Sequence, residues 1–299
     1  MTPAIIIITI LAYFATILAI SWFTGRKADN AGFFSGNRKQ SWYVVAFAMI
    51  GSAMSGVTFV SVPGMVAASG FGYMQMTLGF IAGQLVIAFV LVPLFYKMNL
   101  VSIYGYLENR FGISSYRTGA WFFFISKMLG ASVRLYLVCI ALQLMVFTPL
   151  GMPFNVNVLV TVLVLLAYTY RGGVKAVIWI DFLKTFCMLV SIILCTIFIS
   201  KALGFTFGSM CQAVADSGMS RIFYFDDPDH PQYFFKQFFG GMFTLIAMTG
   251  LDQDMMQRSL SCRNVKDSQK NIITSALLQT VVIFLFLVLG VLLYLFAGT

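Results

Sequence analysis

Apolar residues run along this chain in long blocks separated by short polar punctuation. A helix needs about 20 apolar residues to cross a hydrocarbon core of roughly 30 Å. Blocks suited to that length lie at Pro3 to Phe23, Trp42 to Ser69, Tyr73 to Tyr96, Trp121 to Phe147, Val156 to Tyr170, Val174 to Ser200, Tyr233 to Leu251 and Ile272 to Ala297. They predict about eight membrane spans. The first block lacks a basic leader and a small-residue cleavage site and is followed by charge, so it reads as a retained helix and not a signal peptide.

Two blocks are interrupted. In "AMIGSAMSGVTFVSVPGM" Gly51, Ser52, Ser55, Gly56, Thr58, Ser61, Pro63 and Gly64 crowd the span, which predicts an unwound segment whose backbone groups are available to ligands. In "GGMFTLIAMTGLDQD" Gly240, Gly241, Thr244, Thr249 and Gly250 precede Asp252, and the Gly240 and Gly241 pair reads as close helix packing. Charge also enters the blocks. Lys127, Arg134, Asp181 and Lys184 would each cost about 2.5–3.5 kcal/mol near a helix centre, so each requires a partner or water. Lys127 and Arg134, seven apart, share one helix face, with Arg134 near mid-membrane. Asp181 is placed either to pair with Lys184 or Lys127 or to bind a cation such as sodium or a proton, and the two roles are compatible.

Composition agrees with lipid: of 299 residues 60% are hydrophobic, 16% aromatic and 10% charged. The formal net charge of +9 calls for no nucleic acid, because most of it lies in alternate loops that the positive-inside rule assigns to the cytoplasm. These hold Arg26, Lys27, Arg38 and Lys39; Lys97, Arg110 and Arg117; Arg171 and Lys175; and Arg258, Arg263, Lys266 and Lys270. The amino terminus is therefore expected outside a plasma (bacterial inner) membrane. The five cysteines show no metal or disulfide spacing, and His230 reads as a solvated loop residue beside Asp229. No metal cluster, carboxylate pair or nucleophile with a base marks an intramembrane enzyme, and no carbonyl filter or charged ring marks a channel.

The stretches "YRGGVKAVIWIDFLKTF", "GLDQDMMQRSLSCRN", "SIYGYLENRFG" and "SGVTFVSVPG" together resemble the sodium:solute symporters over essentially the whole chain. Val174 and Ile180 depart from that pattern without removing a polar group. The resemblance implies an all-α membrane protein with a five-plus-five inverted repeat and one extra helix in front. The chain would be one transporter domain over residues 1–299, with the first repeat at 42–200 and the second beginning over 233–299. Family members have about thirteen spans, so a chain stopping after the eighth is expected to be a fragment lacking the hydroxyls that complete the main sodium site.

Carried over residue by residue, the resemblance implies sodium held by the backbone carbonyls of Gly51 and Met54, with Asp181 in an additional sodium site. Ala53, Ser55, Thr58, Tyr73, Gln75 and Thr77 would line the substrate cavity, and Arg134 would meet a substrate carboxylate. Ala247, Met248 and Thr249 stand where sugar-transporting relatives carry an aromatic gate. The expected function is sodium-coupled import of a small polar organic solute, carboxylated like a sialic acid or another organic acid, with a neutral sugar or amino acid as the alternative substrate. Sodium is the coupling ion, no other cofactor is implied, and the solute, sodium and the bilayer are the expected partners. The alternative class is a membrane sensor whose transporter-like spans are fused to a signalling domain.

Overall fold

A computed structural model describes residues 3–25, 39–100, 102–169 and 173–298. Arg26, Lys27, Arg38, Arg171 and Gly172, on which the orientation and the twin-glycine turn partly rest, lie outside the described residues. The described residues form helices and no strand. Among the described residues four helices are long and apolar enough to cross a membrane, and two further pairs satisfy the same test as single spans bent by 65° and 76°. The other two expected spans are shorter apolar helices.

Contacts divide the chain into two units, residues 1–40 with 100–180, and 41–99 with 181–299. The first contains α1 (Pro3–Gly25), α6 (Gly105–Phe111), α7 (Ile113–Phe147) and α8 (Phe154–Thr169). α7 starts earlier than the apolar block predicts, because Gly112 at φ 87° turns the chain directly into it. Its final turn, Gln143–Phe147, is π-helical. Asn157 of α8, fully buried, donates to the Cys139 carbonyl at 2.7 Å and to Gln143 Oε1 at 3.2 Å, tying α8 to the last turns of α7.

The second unit contains α2 (Trp42–Ala53), α3 (Gly56–Gly64), α4 (Val66–Ser69), α5 (Tyr73–Lys97), α10 (Phe207–Asp216), α11 (Phe234–Gly250), α12 (Gln253–Ser259) and α13 (Val265–Ala297). α9 (Gly173–Ala202) is divided between the units at Ile180 and Asp181. α13 begins before its apolar block because Asn264 caps it, accepting from the Asp267 amide at 2.8 Å. Phe286, Leu287, Val291 and Leu292 of α13 are fully buried against residues of α2, α3 and α9 such as Ile50, Val62 and Ile192. At Gly290 a Cβ would lie 2.7 Å from the Pro63 carbonyl, so the helix axis can approach the proline turn only here.

α5 and α11 come closest. A Cβ at Gly79 would lie 2.0 Å from the Phe238 carbonyl, and one at Gly241 would lie 2.4 Å from the Met76 carbonyl. This is the small-residue packing expected for Gly241, whereas a Cβ at Gly240 would meet nothing within 4 Å. The loop that leads into α11 is pinned by one side chain. Gln75, fully buried, accepts from the Tyr224 amide at 3.0 Å and donates to the Gln232 carbonyl at 2.9 Å, holding both ends of the loop. Within it His230 stacks on Tyr224 at 5.6 Å, and Arg221 lies over the Tyr224 ring at 4.5 Å while pairing with Asp226.

Gly79→Ala and Gly241→Ala are each expected to lower stability by about 1–3 kcal/mol through overpacking, with Gly240→Ala close to unchanged. Thermal unfolding in detergent followed by intrinsic fluorescence checks the series. Between α12 and α13, Cys262 is fully buried, and burial, assisted by Asp267, pushes its thiol up to about 12. Essentially no thiolate exists at neutral pH, so maleimide is expected to label the exposed Cys211 and to spare Cys262 until the protein is unfolded.

Candidate functional site

The unwinding expected in the second span occurs at Met54 and Ser55, where both residues adopt extended backbone between α2 and α3. Pro63 lies further on, inside α3, and ends that helix instead of opening its middle. The break is stabilised on its far side by a reach-back bond, the Ser55 amide donating to Thr58 Oγ1 at 3.2 Å. On its near side the Met54 amide still donates to Ile50. Among the described residues the carbonyls of Gly51, Ser52, Ala53 and Met54 accept no backbone bond across the break. Free carbonyls at a helix end are the donors a small hard cation requires. Gly51 in the last turn of α2 and Met54 at the break are the two residues named above as expected carbonyl donors.

The second break falls at Leu251 and Asp252. Asp252 caps the following α12, its carboxylate accepting from the Met255 amide at 3.1 Å. Before the break α11 ends in a π-turn, Ile246–Gly250, which meets the π-turn Ile87–Leu91 of α5. Contact is possible because Gly250 has no side chain: a Cβ would sit 2.6 Å from Leu91 Cδ1. Gln269 of α13 donates to the Ala88 carbonyl in that turn at 3.1 Å.

The two breaks meet at Asp181, whose side chain is only 3% exposed. Lys184 Nζ lies 2.9 Å from its Oδ1. On Oδ2 converge the Ser52 hydroxyl, donating at 2.9 Å, and Arg258 Nη1 from α12. Arg258 Nη1 also touches Ser52 Oγ, and the rest of the guanidinium forks onto Asp254 at 3.0 and 3.2 Å. α2 can come this near to α9 because of Gly51, where a Cβ would lie 2.5 Å from Thr185 Oγ1 and 2.6 Å from the Asp181 carbonyl. Thr185, fully buried, completes the joint by donating to the Phe47 carbonyl at 2.9 Å. Asp181 thus carries the Lys184 pair that its spacing allows and a second cation besides. In this arrangement its oxygens are already neutralised, so a sodium ion there has to displace one of them.

The remaining expected site residues are distributed as follows. Ala53 is exposed at the break, and Ser55 and Thr58 are half-buried beyond it. Tyr73 is half-buried, edge-on to Phe80 at 6.3 Å. Thr77 is buried, donating to the Tyr73 carbonyl at 3.0 Å, and Gln75 is taken up by the loop it clamps. Neither presents a polar atom to open space. Arg134, in the first unit, is exposed and has no hydrogen-bond or ion-pair partner among the described residues. Lys127 lies over the Phe123 ring at 5.6 Å.

Sequence reading missed Arg258, Ser52 and Thr185 as parts of one site. From sequence Arg258 reads as a cytoplasmic loop base and as part of the stretch "GLDQDMMQRSLSCRN", although Asp254 four residues before it signals a helical ion pair. Ser52 stood among many hydroxyls, and Thr185 lies one turn beyond Asp181, a spacing that marks a shared face and no more.

Comparison with known proteins agrees with this architecture. Residues 33–299 match the sodium:solute symporter family. The sodium/sialic acid symporter NanT of Aliivibrio fischeri is 26% identical over 299 residues, covering 95% of this chain and 56% of that protein. The sodium-dependent multivitamin transporter of Oryctolagus cuniculus is 30% identical over 231 residues, 77% of this chain and 36% of its own. A solved Na+-coupled sialic acid symporter, in a substrate-bound outward-open state, superposes with a TM-score of 0.83 at 20% identity, over 96% of this chain and 61% of that one. The last likeness shows the all-α fold. The chain spans about half, or less, of the length of the curated relatives it matches. On the family match, the chain is an integral membrane protein that belongs to the sodium:solute symporter family.

Proposed function

We propose that this chain forms part of a sodium-coupled secondary active symporter that imports a small polar organic solute, with a carboxylated solute favoured. The observation that carries this reading is the break at Met54 and Ser55, which frees carbonyls of Gly51 to Met54 inside an apolar span. Gly51 and Met54 would hold the main sodium ion through those carbonyls. Bound sodium supplies positive charge at the break and so favours the geometry in which α2 and α3 present Ala53, Ser55 and Thr58, with Tyr73, to the solute. Gln75 and Thr77 would act from behind, fixing the backbone of α5 and the loop before α11. Coupling requires only that solute and sodium bind better together than apart, by about 1–3 kcal/mol. No bond is made or broken.

The first repeat would occupy residues 42–200 and the second would begin at 233, since each then opens with its own broken helix. This placement suits the amino terminus outside and the loops carrying Lys39, Lys97 and Arg263 in the cytoplasm of a plasma membrane. A carboxylated solute is supported by Arg134, an exposed guanidinium on a long apolar helix, because its fork matches a carboxylate. Curated relatives include a sialic acid symporter and a sodium-coupled monocarboxylate transporter of Homo sapiens.

The test is uptake of labelled sialic acid, other organic acids, sugars and amino acids by the full-length protein in proteoliposomes. Accumulation is expected with an inward sodium gradient and not with choline in its place; uptake that ignores the gradient rules out symport. Arg134→Ala is expected to weaken carboxylate uptake about 10-fold or more, the loss of a charged hydrogen-bond pair. Unchanged uptake by that variant would remove Arg134 from the site.

A further inference from the structure

Arg258 lies where a small cation would. A hard ion seeks several oxygens at once, and beside Asp181 the oxygens are gathered on one side: Oδ2 of the carboxylate and the Ser52 hydroxyl, 2.9 Å apart. Arg258 Nη1 touches both. On the other side Oδ1 meets, among the described residues, Lys184, whose side chain is 41% exposed and can swing to water. Arg258 is 12% exposed and is anchored by Asp254 on its own helix, so it leaves the notch only if α12 moves.

Charge leads to the same point. Asp181 is met by Lys184 and Arg258, and Arg258 in turn by Asp254 in contact and by Asp252 at longer range. A further cation in the notch would place two positive groups in contact in a poorly solvated site, where like charges repel strongly. The notch therefore holds one cation at a time.

We propose that Arg258 is a tethered cation that competes with sodium for the notch between Asp181 and Ser52. Ion entry and the tie from α12 to α9 and α2 then exclude one another. With the guanidinium in place the inner arm of the second broken helix is bound to the first; with sodium in place that arm is released. Arg258 is on this account a positioning residue that converts occupancy by an ion into movement of α12. The inference rests on the sodium-coupled reading above and adds a competitor and a moving element to it.

The experiment uses the full-length protein in nanodiscs, with choline holding ionic strength constant. Hydrogen–deuterium exchange of the 253–259 segment and sodium binding by tryptophan fluorescence are measured together. In the wild type sodium is expected to raise exchange in that segment. Arg258→Gln is expected to bind sodium about tenfold more tightly, with exchange high and indifferent to sodium; adding Asp181→Asn is expected to cancel the gain in affinity. Arg258→Lys, which keeps a cation and guards against a misfolded glutamine variant, is expected to retain low exchange without sodium and a sodium-induced rise. Sodium binding by the wild type with no change over 253–259 overturns the proposal, as does an Arg258→Gln protein that binds sodium no more tightly. A wild type that does not respond to sodium in either measurement overturns the symport reading, and this inference with it.

Discussion

Asp181 must be neutralised, and the second unit is organised around how that is done. A carboxylate 3% exposed within a long apolar helix cannot remain charged without partners. The local partner, Lys184, comes from one turn further along the same helix. The other, Arg258, comes from the far arm of a helix broken at Leu251 and Asp252, and it is accompanied by Ser52 from just before the break at Met54. One buried charge thereby brings the ends of two interrupted spans to one place. The arrangement is strong only while it is complete, since a buried ion pair that loses one member leaves the other stranded at a cost of about 3–5 kcal/mol.

The breaks themselves need backbone to approach backbone. Apolar bulk does not distinguish one helix neighbour from another in lipid, so contact is set by small residues and by polar groups that require partners. Gly51 against α9, Gly79, Gly83 and Gly241 between α5 and α11, and Gly290 beneath Pro63 are among the positions where a methyl group would collide with a carbonyl or hydroxyl oxygen. Side chains also bond the backbone beside irregular turns: Gln269 on Ala88 and Gln75 on the loop before α11 in the second unit, and Asn157 on Cys139 in the first. In the absence of water within the bilayer, such bonds are the condition on which a π-turn or an unwound residue is tolerated.

Much of the fold was legible because it depends on local quantities. Block length marked the spans, and the density of glycine and hydroxyl residues marked both broken helices. Helix ends were less legible, since the starts at Ile113 and Val265 depend on Gly112 and on the Asn264 cap, which lie outside the apolar blocks. Of the site, the freed carbonyls near Gly51 and Met54 and the Asp181 to Lys184 pair followed from spacing or from the family pattern. The part played by Gln75 did not, because a polar side chain at a helix start looks the same whether it faces a ligand or a loop about 150 residues away in sequence.

The sequence by itself determined that this chain lives in lipid, where its spans fall, and which two of them are interrupted. These follow from hydrophobic length and from backbone groups that need satisfying within a few residues. Tertiary structure alone decided that Arg258, 77 residues beyond Asp181, completes its neutralisation, and that Ser52 joins them. The physical reason is that a buried carboxylate requires countercharge but does not specify its source. Which cation arrives is settled by the packing of glycine-faced helices, and that is a property of the folded chain.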